Sequence, residues 1–123
     1  MSHVLRRLPD AELEVMQSLW HCEAPAARQD IAARLSRPMA PTTLLTLLSR
    51  LGEKGFVTVE KQGRCSLYTP AVSESDYLAA QGSDFFHKLC GGSVPAFAAA
   101  LCDSGLTKED WEELRQLLET EEL

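Results

Sequence analysis

The sequence lacks any run of roughly eighteen apolar residues, the length a helix needs to cross a bilayer. Its start, Met-Ser-His-Val-Leu-Arg-Arg, passes into Pro9-Asp-Ala-Glu without the apolar core of a secretory signal. The two absences argue against export and membrane insertion, so a cytoplasmic chain that is not itself membrane-bound is expected. Cysteine is scarce and scattered: Cys22, Cys65, Cys90 and Cys102 form no C-x-x-C pair and no zinc-finger spacing. In a reducing compartment they read as free thiols, and neither a metal nor another cofactor is expected. Catalytic constellations are missing too. His3, His21 and His87 have no Ser and Asp partners at recognisable spacings, and no glycine-rich phosphate loop occurs. An enzyme is therefore not expected.

What is present is a chain of 123 residues, 45% hydrophobic and 24% charged, which suits one compact unit or a small domain with an appendage. Its formal net charge of -6 looks wrong for a polyanion partner until the chain is divided at Ser75. Up to that point nine Lys and Arg face eight Asp and Glu; beyond it three face ten. Any contact with nucleic acid belongs in the first part.

Asp10 to His21 carries Leu13, Met16, Leu19 and Trp20 at helical spacing, with Glu12 and Glu14 in the first turn where the helix dipole favours anions. A short second helix is expected from Ala26 to Leu35, with Ile31 and Leu35 facing inward, before a turn between Pro38 and Pro41. A third helix opens at Pro41 and closes at Gly55. On it Leu44, Leu47, Leu48 and Leu51 form one apolar stripe, while Thr42, Thr46, Ser49 and Glu53 point away, with Leu45 and Arg50 flanking them.

Two β-rich runs follow, Phe56 to Lys61 and Cys65 to Thr69, separated by Gln62-Gly63-Arg64 in the manner of a hairpin. Three helices and a hairpin, with a tight turn between the second and third helix, is the order of a winged helix-turn-helix.

Beyond Pro70 helices return, over Glu74 to Leu89, Val94 to Leu101 and Thr107 to Glu119, the last with Thr107 and Asp110 placed as a capping pair. Leu78, Phe85, Phe86, Leu89, Val94, Phe97, Leu101, Trp111, Leu114, Leu117 and Leu118 are too many apolar residues for so short a segment to bury alone. Pairing of two copies would cover them.

The expected fold is mainly α with a small β-hairpin wing. A winged-helix DNA-binding domain over 1–72 precedes a helical dimerisation domain over 73–123. The expected partners are double-stranded operator DNA and a second copy of the chain.

On the third helix, Thr42, Thr43 and Thr46 can hydrogen-bond base edges or phosphates and Leu45 can meet a thymine methyl. Arg28, Arg50 and Lys54 suit phosphates, and Lys61 and Arg64 on the wing suit the adjacent backbone or minor groove. Two other readings stand beside this one. The uncharged Thr-Leu face of the third helix could dock a protein, or a metal or redox signal could act through Cys65 or through His87, Cys90 and Cys102.

Leu8-Pro-Asp-Ala-Glu-Leu-Glu-Val-Met-Gln-Ser-Leu-Trp, Thr43-Leu-Leu-Thr-Leu-Leu-Ser-Arg-Leu-Gly-Glu-Lys-Gly, the Tyr68-Thr-Pro hairpin exit and Phe86-His-Lys-Leu-Cys-Gly-Gly-Ser together resemble the penicillinase-repressor family. That family includes the methicillin-resistance and copper-transport repressors. The resemblance implies a homodimeric winged-helix repressor of an operator dyad. It also implies release through the dimer region, in several members when a membrane sensor triggers proteolytic cleavage there, which would fall at Asp84 and Phe85.

This chain departs from the family pattern at several points. Pro9 and Ala27 replace the Ser or Thr that many members carry ahead of the first two helices. Thr42 and Leu45 stand where the family often has Lys and a polar or basic residue. Asp84 takes the place of an Asn, and the tail Glu-Thr-Glu-Glu-Leu has none of the cysteines of the copper-responsive members.

Overall fold

The computed structural model of the chain describes residues 5–120. His3, the start of the chain and the end of its tail (121–123) lie outside the described residues, and so do the expectations that fall on them. The chain divides into two compact units, Met1–Gln81 and Gly82–Leu123.

In the first unit, α1 (Asp10–Trp20) buries Val15, Met16 and Leu19 completely. Pro9 offers no side-chain cap, and Asp10 and Glu12 in the first turn complement the positive end of the helix. Ser18, also on the buried side, donates its hydroxyl proton to the Ile31 carbonyl at 2.5 Å. A buried polar group is thereby satisfied and α1 is tied to the next helix.

The second helix is shorter than its sequence suggests. Ala26–Ala27 is a strand, β1, and α2 covers only Arg28–Ala33, with Leu35 beyond its end and packed against the core. Helix propensity yields here to sheet pairing, because Ala26 and Ala27 pair antiparallel with Tyr68 and Leu67. The Asp30 carboxylate accepts the Ala27 N–H at 3.1 Å. It supplies the half of a capping box that does not require the missing hydroxyl.

Helix α3 (Pro41–Glu53) has Pro41 in its first turn, where the absent N–H costs nothing, and Gly55 after its end at φ 81°. Leu44, Leu47, Leu48 and Leu51 are buried as one stripe, as their spacing predicts.

Strands β2 (Val57–Gln62) and β3 (Cys65–Pro70) form the hairpin, and the sheet order is β1-β3-β2. Gln62 pairs with Cys65, so the loop is Gly63-Arg64 alone, with Gly63 at φ 63°. A two-residue loop with a positive φ matches the twist of the strands it joins.

The unit closes on the first turns of α4 (Glu74–Asp84), capped by the Ser73 hydroxyl, which accepts the Asp76 N–H at 3.0 Å. Buried Tyr77 accepts the Leu8 N–H at 2.9 Å through its hydroxyl, and its ring lies 5.7 Å from Trp20 and 5.8 Å from Phe56 between centroids. Trp20 Nε1 donates to the Val72 carbonyl at 2.9 Å, and Gln81 Nε2 to the Leu5 carbonyl at 2.7 Å. These contacts carry the first unit past the domain boundary expected after residue 72, to Gln81.

In the second unit the helix expected through Leu89 widens at Asp84 into a π-helical turn, Phe85–Leu89, with the Cys90 N–H bonded to the Phe85 carbonyl at 3.0 Å. The wider turn lets the adjacent rings of Phe85 and Phe86 both meet Phe97, at 5.8 and 5.6 Å between centroids.

Gly91 and Gly92, both at positive φ, lead to α5 (Val94–Cys102), where the Ser93 hydroxyl accepts the Ala96 N–H at 3.2 Å. Helix α6 (Lys108–Thr120) starts from a complete capping box: Thr107 Oγ1 accepts from Asp110 N–H at 3.1 Å and Asp110 Oδ2 from Thr107 N–H at 3.0 Å. Asp does here what Glu or Gln usually does. No single helix among the described residues is long and apolar enough to cross a membrane.

Candidate nucleic-acid interface

Burial of the leucine stripe decides which side of α3 remains outside. Thr42, Thr43, Leu45, Thr46, Ser49 and Arg50 are all exposed, and Leu45 keeps 45% of its surface. Thr43, close to the stripe, and Leu45, at its margin, thus both face solvent. Thr46 donates its hydroxyl proton to the Thr42 carbonyl at 2.9 Å, which fixes the hydroxyl and leaves its oxygen lone pairs as acceptors for a ligand.

The sheet brings residues distant in sequence alongside this helix. A cleft of about 250 Å³ is lined by Ala27, Arg28, Gln29, Leu45, Arg64, Cys65, Ser66 and Tyr68. Arg28 heads α2 and Arg64 sits in the hairpin loop; the β1–β3 pairing places both beside Leu45. Among the described residues Arg28, Arg50, Lys61 and Arg64 form no ion pair, so their charges are available to an anion.

Lys54 is placed differently from the expectation of a phosphate contact. Its Nζ lies 2.5 Å from Glu12 Oε1, and the Glu12 side chain is only 4% exposed. The amine neutralises a carboxylate buried at the start of α1. The residue type and position allow a phosphate role; in the structure the amine faces Glu12 instead, and no local pattern announces that contact across 42 residues.

Arg37 is likewise occupied, through a two-pronged pair with Glu14 at 2.7 and 3.0 Å. The Arg37 guanidinium holds the Glu14 carboxyl below its ordinary value, chiefly by hydrogen bonding, and the carboxylate pushes the guanidinium up. Arg6 and Arg7 line a second pocket, of about 410 Å³, with Leu8, Pro9, Lys54 and Phe56. Sequence reasoning passed over them and over Gln29, Ser66 and Val59, which the sheet alone brings near α3. Alternation along β2 was the signal available for Val59, an exposed β-branched residue on a wing strand.

All four cysteines are free thiols. Cys22 donates toward the Ser18 and Asp30 carbonyls at 3.4 and 3.7 Å, and burial pushes its thiol up. Cys65 is exposed in the arginine cleft. Among the described residues no group of three or more His, Cys, Asp or Glu is placed to hold a metal ion.

In the second unit no described residue is buried. Phe85, Phe86, Phe97, Leu101, Trp111, Leu114 and Leu117 are half-buried, and Leu89, Val94 and Leu118 are exposed. Leu78 is exposed on α4. Asp84, also exposed, lies 3.7 Å from Lys88 in an ion pair, and its peptide bond to Phe85 runs through helical backbone.

The family model described as "Penicillinase repressor" matches residues 8–120. The chain is 32% identical over 116 residues to the penicillinase repressor of Bacillus licheniformis, covering 92% of this chain and 90% of that protein. It is 28% identical over 120 residues to the methicillin resistance regulatory protein MecI of Staphylococcus aureus (strain N315), covering 96% and 98%. The solution structure of the DNA binding domain of the repressor BlaI superposes with a TM-score of 0.51 at 37% identity, over 63% of this chain and 94% of that one.

Proposed function

Because the chain belongs to the penicillinase repressor family, we propose that it represses transcription as a homodimer, each protomer placing α3 in the major groove of one half of an operator dyad and its wing against the adjacent backbone. Its relatives are transcriptional repressors, a family without enzymatic activity. The observation that carries the reading is the division of α3 into a buried leucine face and an exposed face of threonines, Ser49 and Arg50, flanked by the Arg28–Arg64 cleft. Hydroxyls there serve base edges, and the arginines, with Lys61 on the wing, serve phosphates.

Domain roles follow from the same division. The first unit reads DNA, and the second, in which no described residue is fully buried, pairs with its copy through Phe85, Phe86, Leu89, Phe97, Leu101, Trp111, Leu114 and Leu118. Linking two readings multiplies their affinities, so separating the second units releases the operator. A membrane sensor acting through a protease that cuts at Asp84–Phe85 is one such inducer pathway. The helical backbone there must first unwind, since nicking favours exposed loops. The work is done on double-stranded operator DNA, in the cytoplasm.

The test is a titration of the full chain against a duplex from its own promoter and a scrambled duplex, each at two salt concentrations, with the mass of the free protein measured alongside. Tight, sequence-dependent, salt-sensitive binding by a dimer is expected. Equal and feeble binding to both duplexes would overturn the repressor reading and leave the α3 face to a protein partner.

A further inference from the structure

The cationic cleft does not end at Leu45. Leu45 and Tyr68 are also walls of a further groove, of about 490 Å³, whose other lining is Leu48, Ser49, Gly52, Glu53, Val57 and Val59. Val59 pairs with Tyr68 across β2 and β3, so the two side chains share one face of the sheet, the face turned to this groove. Leu45 is 45% and Val59 59% exposed. A helix residue and a wing residue thus hold a branched apolar surface open between them. Arg28 and Arg64 lie on one side of it, and the threonines of α3 run alongside.

We propose that Leu45 and Val59 together form a reader of thymine methyl groups, which makes them determinants of operator specificity. The proposal rests on the DNA-binding reading above. The occupant follows from the joined chemistry of the two grooves, which share Leu45 and Tyr68: a partner must offer anionic groups to the arginines and apolar groups to the adjoining Leu45–Val59 surface. Duplex DNA does this where a thymine lies in the major groove, since among the four bases thymine alone presents a methyl there, beside the phosphates of its own strand.

Leucine and valine side chains carry no donor or acceptor. A cytosine in that place loses the methyl contact and has its N4 amine desolvated without a partner. The Thr42 hydroxyl accepts as well as donates, and that of Thr46, its proton held on the Thr42 carbonyl, accepts; both tolerate several bases. Selectivity is therefore strongest where the surface is apolar, and it takes the form of a requirement for the methyl itself.

The test removes only that methyl. The full chain is titrated against duplexes from its own promoter in which each thymine of the protected region is replaced singly by deoxyuridine. At one or two thymines of each half-site the replacement is expected to weaken binding about fourfold, the worth of one buried methyl. In Leu45→Ala that penalty should vanish, and in Val59→Thr it should shrink. Both side chains are exposed and neither belongs to the buried core, so both variants should stay folded and melt within a few degrees of the wild type.

Tight, salt-sensitive binding that no uridine alters overturns the methyl reader and leaves DNA binding standing. A uridine penalty that persists unchanged in both variants overturns the assignment to Leu45 and Val59. Absence of sequence-dependent binding to any of the duplexes overturns both readings.

Discussion

Replacing Lys54 by Ala separates structure from DNA contact. In the wild type Lys54 Nζ lies 2.5 Å from Glu12 Oε1, with the carboxylate side chain 4% and the lysine 43% exposed. Breaking a fully buried pair by removing one partner costs about 3–5 kcal/mol, whereas an exposed pair is worth about 0.2–1 kcal/mol. With one partner buried and the other open to water, a loss of about 2 kcal/mol is expected, since water entering the space left by Lys54 solvates part of the stranded charge. For a domain of this size that corresponds to a fall in Tm of about 10 °C.

Two further variants identify the cause. Glu12→Gln keeps a hydrogen-bonding group without the charge and should lose less. The double change Glu12→Leu with Lys54→Met removes both charges and should recover most of the loss.

Thermal and urea unfolding supply the stabilities, and operator titration at several salt concentrations supplies the count of phosphates contacted. Lys54→Ala should leave the salt slope unchanged when measured where the variant is folded. If instead the slope falls by about one unit and the Tm does not move, Lys54 touches a phosphate and the Glu12 pairing is not its role.

Other outcomes follow from the same geometry. Arg50→Ala should weaken binding to every duplex alike and lower the salt slope by about one unit, while Thr46→Ala should change preference at one base position; titrations against a panel of single-base variants at two salt concentrations distinguish them. Trp111→Asp and Phe97→Asp should yield monomers that hold a full operator weakly, and sedimentation of either variant as a dimer would move the interface elsewhere.

The Glu14 carboxyl is lowered in the folded state by Arg37, so its contribution to stability is present above the unfolded carboxylate range and is lost as pH falls through the folded value. Arg37→Leu should therefore be less stable than the wild type near neutrality, with the gap closing in acid. Denaturant midpoints compared between neutral pH and about pH 3 check this, and a gap independent of pH would mean that Arg37 acts through packing alone.

Much of the fold was legible because its determinants are local. The leucine stripe of α3, the Pro41 and Gly55 that bound it, the glycine of the hairpin loop and the Thr107–Asp110 box depend on neighbours within a few residues, and each stands where its spacing puts it. The errors share a different origin. Ala26 and Ala27 read as helix because alanine favours helices, but a strand about forty residues onward takes their backbone groups. The widening of the helix at Phe85 accompanies contacts of Phe85 and Phe86 with Phe97 across a glycine turn.

The candidate site divides in the same way. The exposed face of α3 follows from the apolar period, since burying one side of a helix leaves the other in water. What lies around that face does not follow. The charge of Lys54 is spent on Glu12, and Arg28, Arg64, Val59 and Leu45 are neighbours only because β1 and β2 both pair with β3.

By itself, then, the sequence determined the helices, the hairpin, the separation of a near-neutral first part from an acidic second one and the family to which the chain belongs. The elements and the charge division are written in spacings and compositions that survive without a third dimension, and the family in the residues shared with its members. Only the tertiary structure decided which cations remain available to an anion and which apolar side chains stand open beside them. Those depend on contacts between residues far apart in the chain, and pairing at a distance leaves no periodic trace in the sequence.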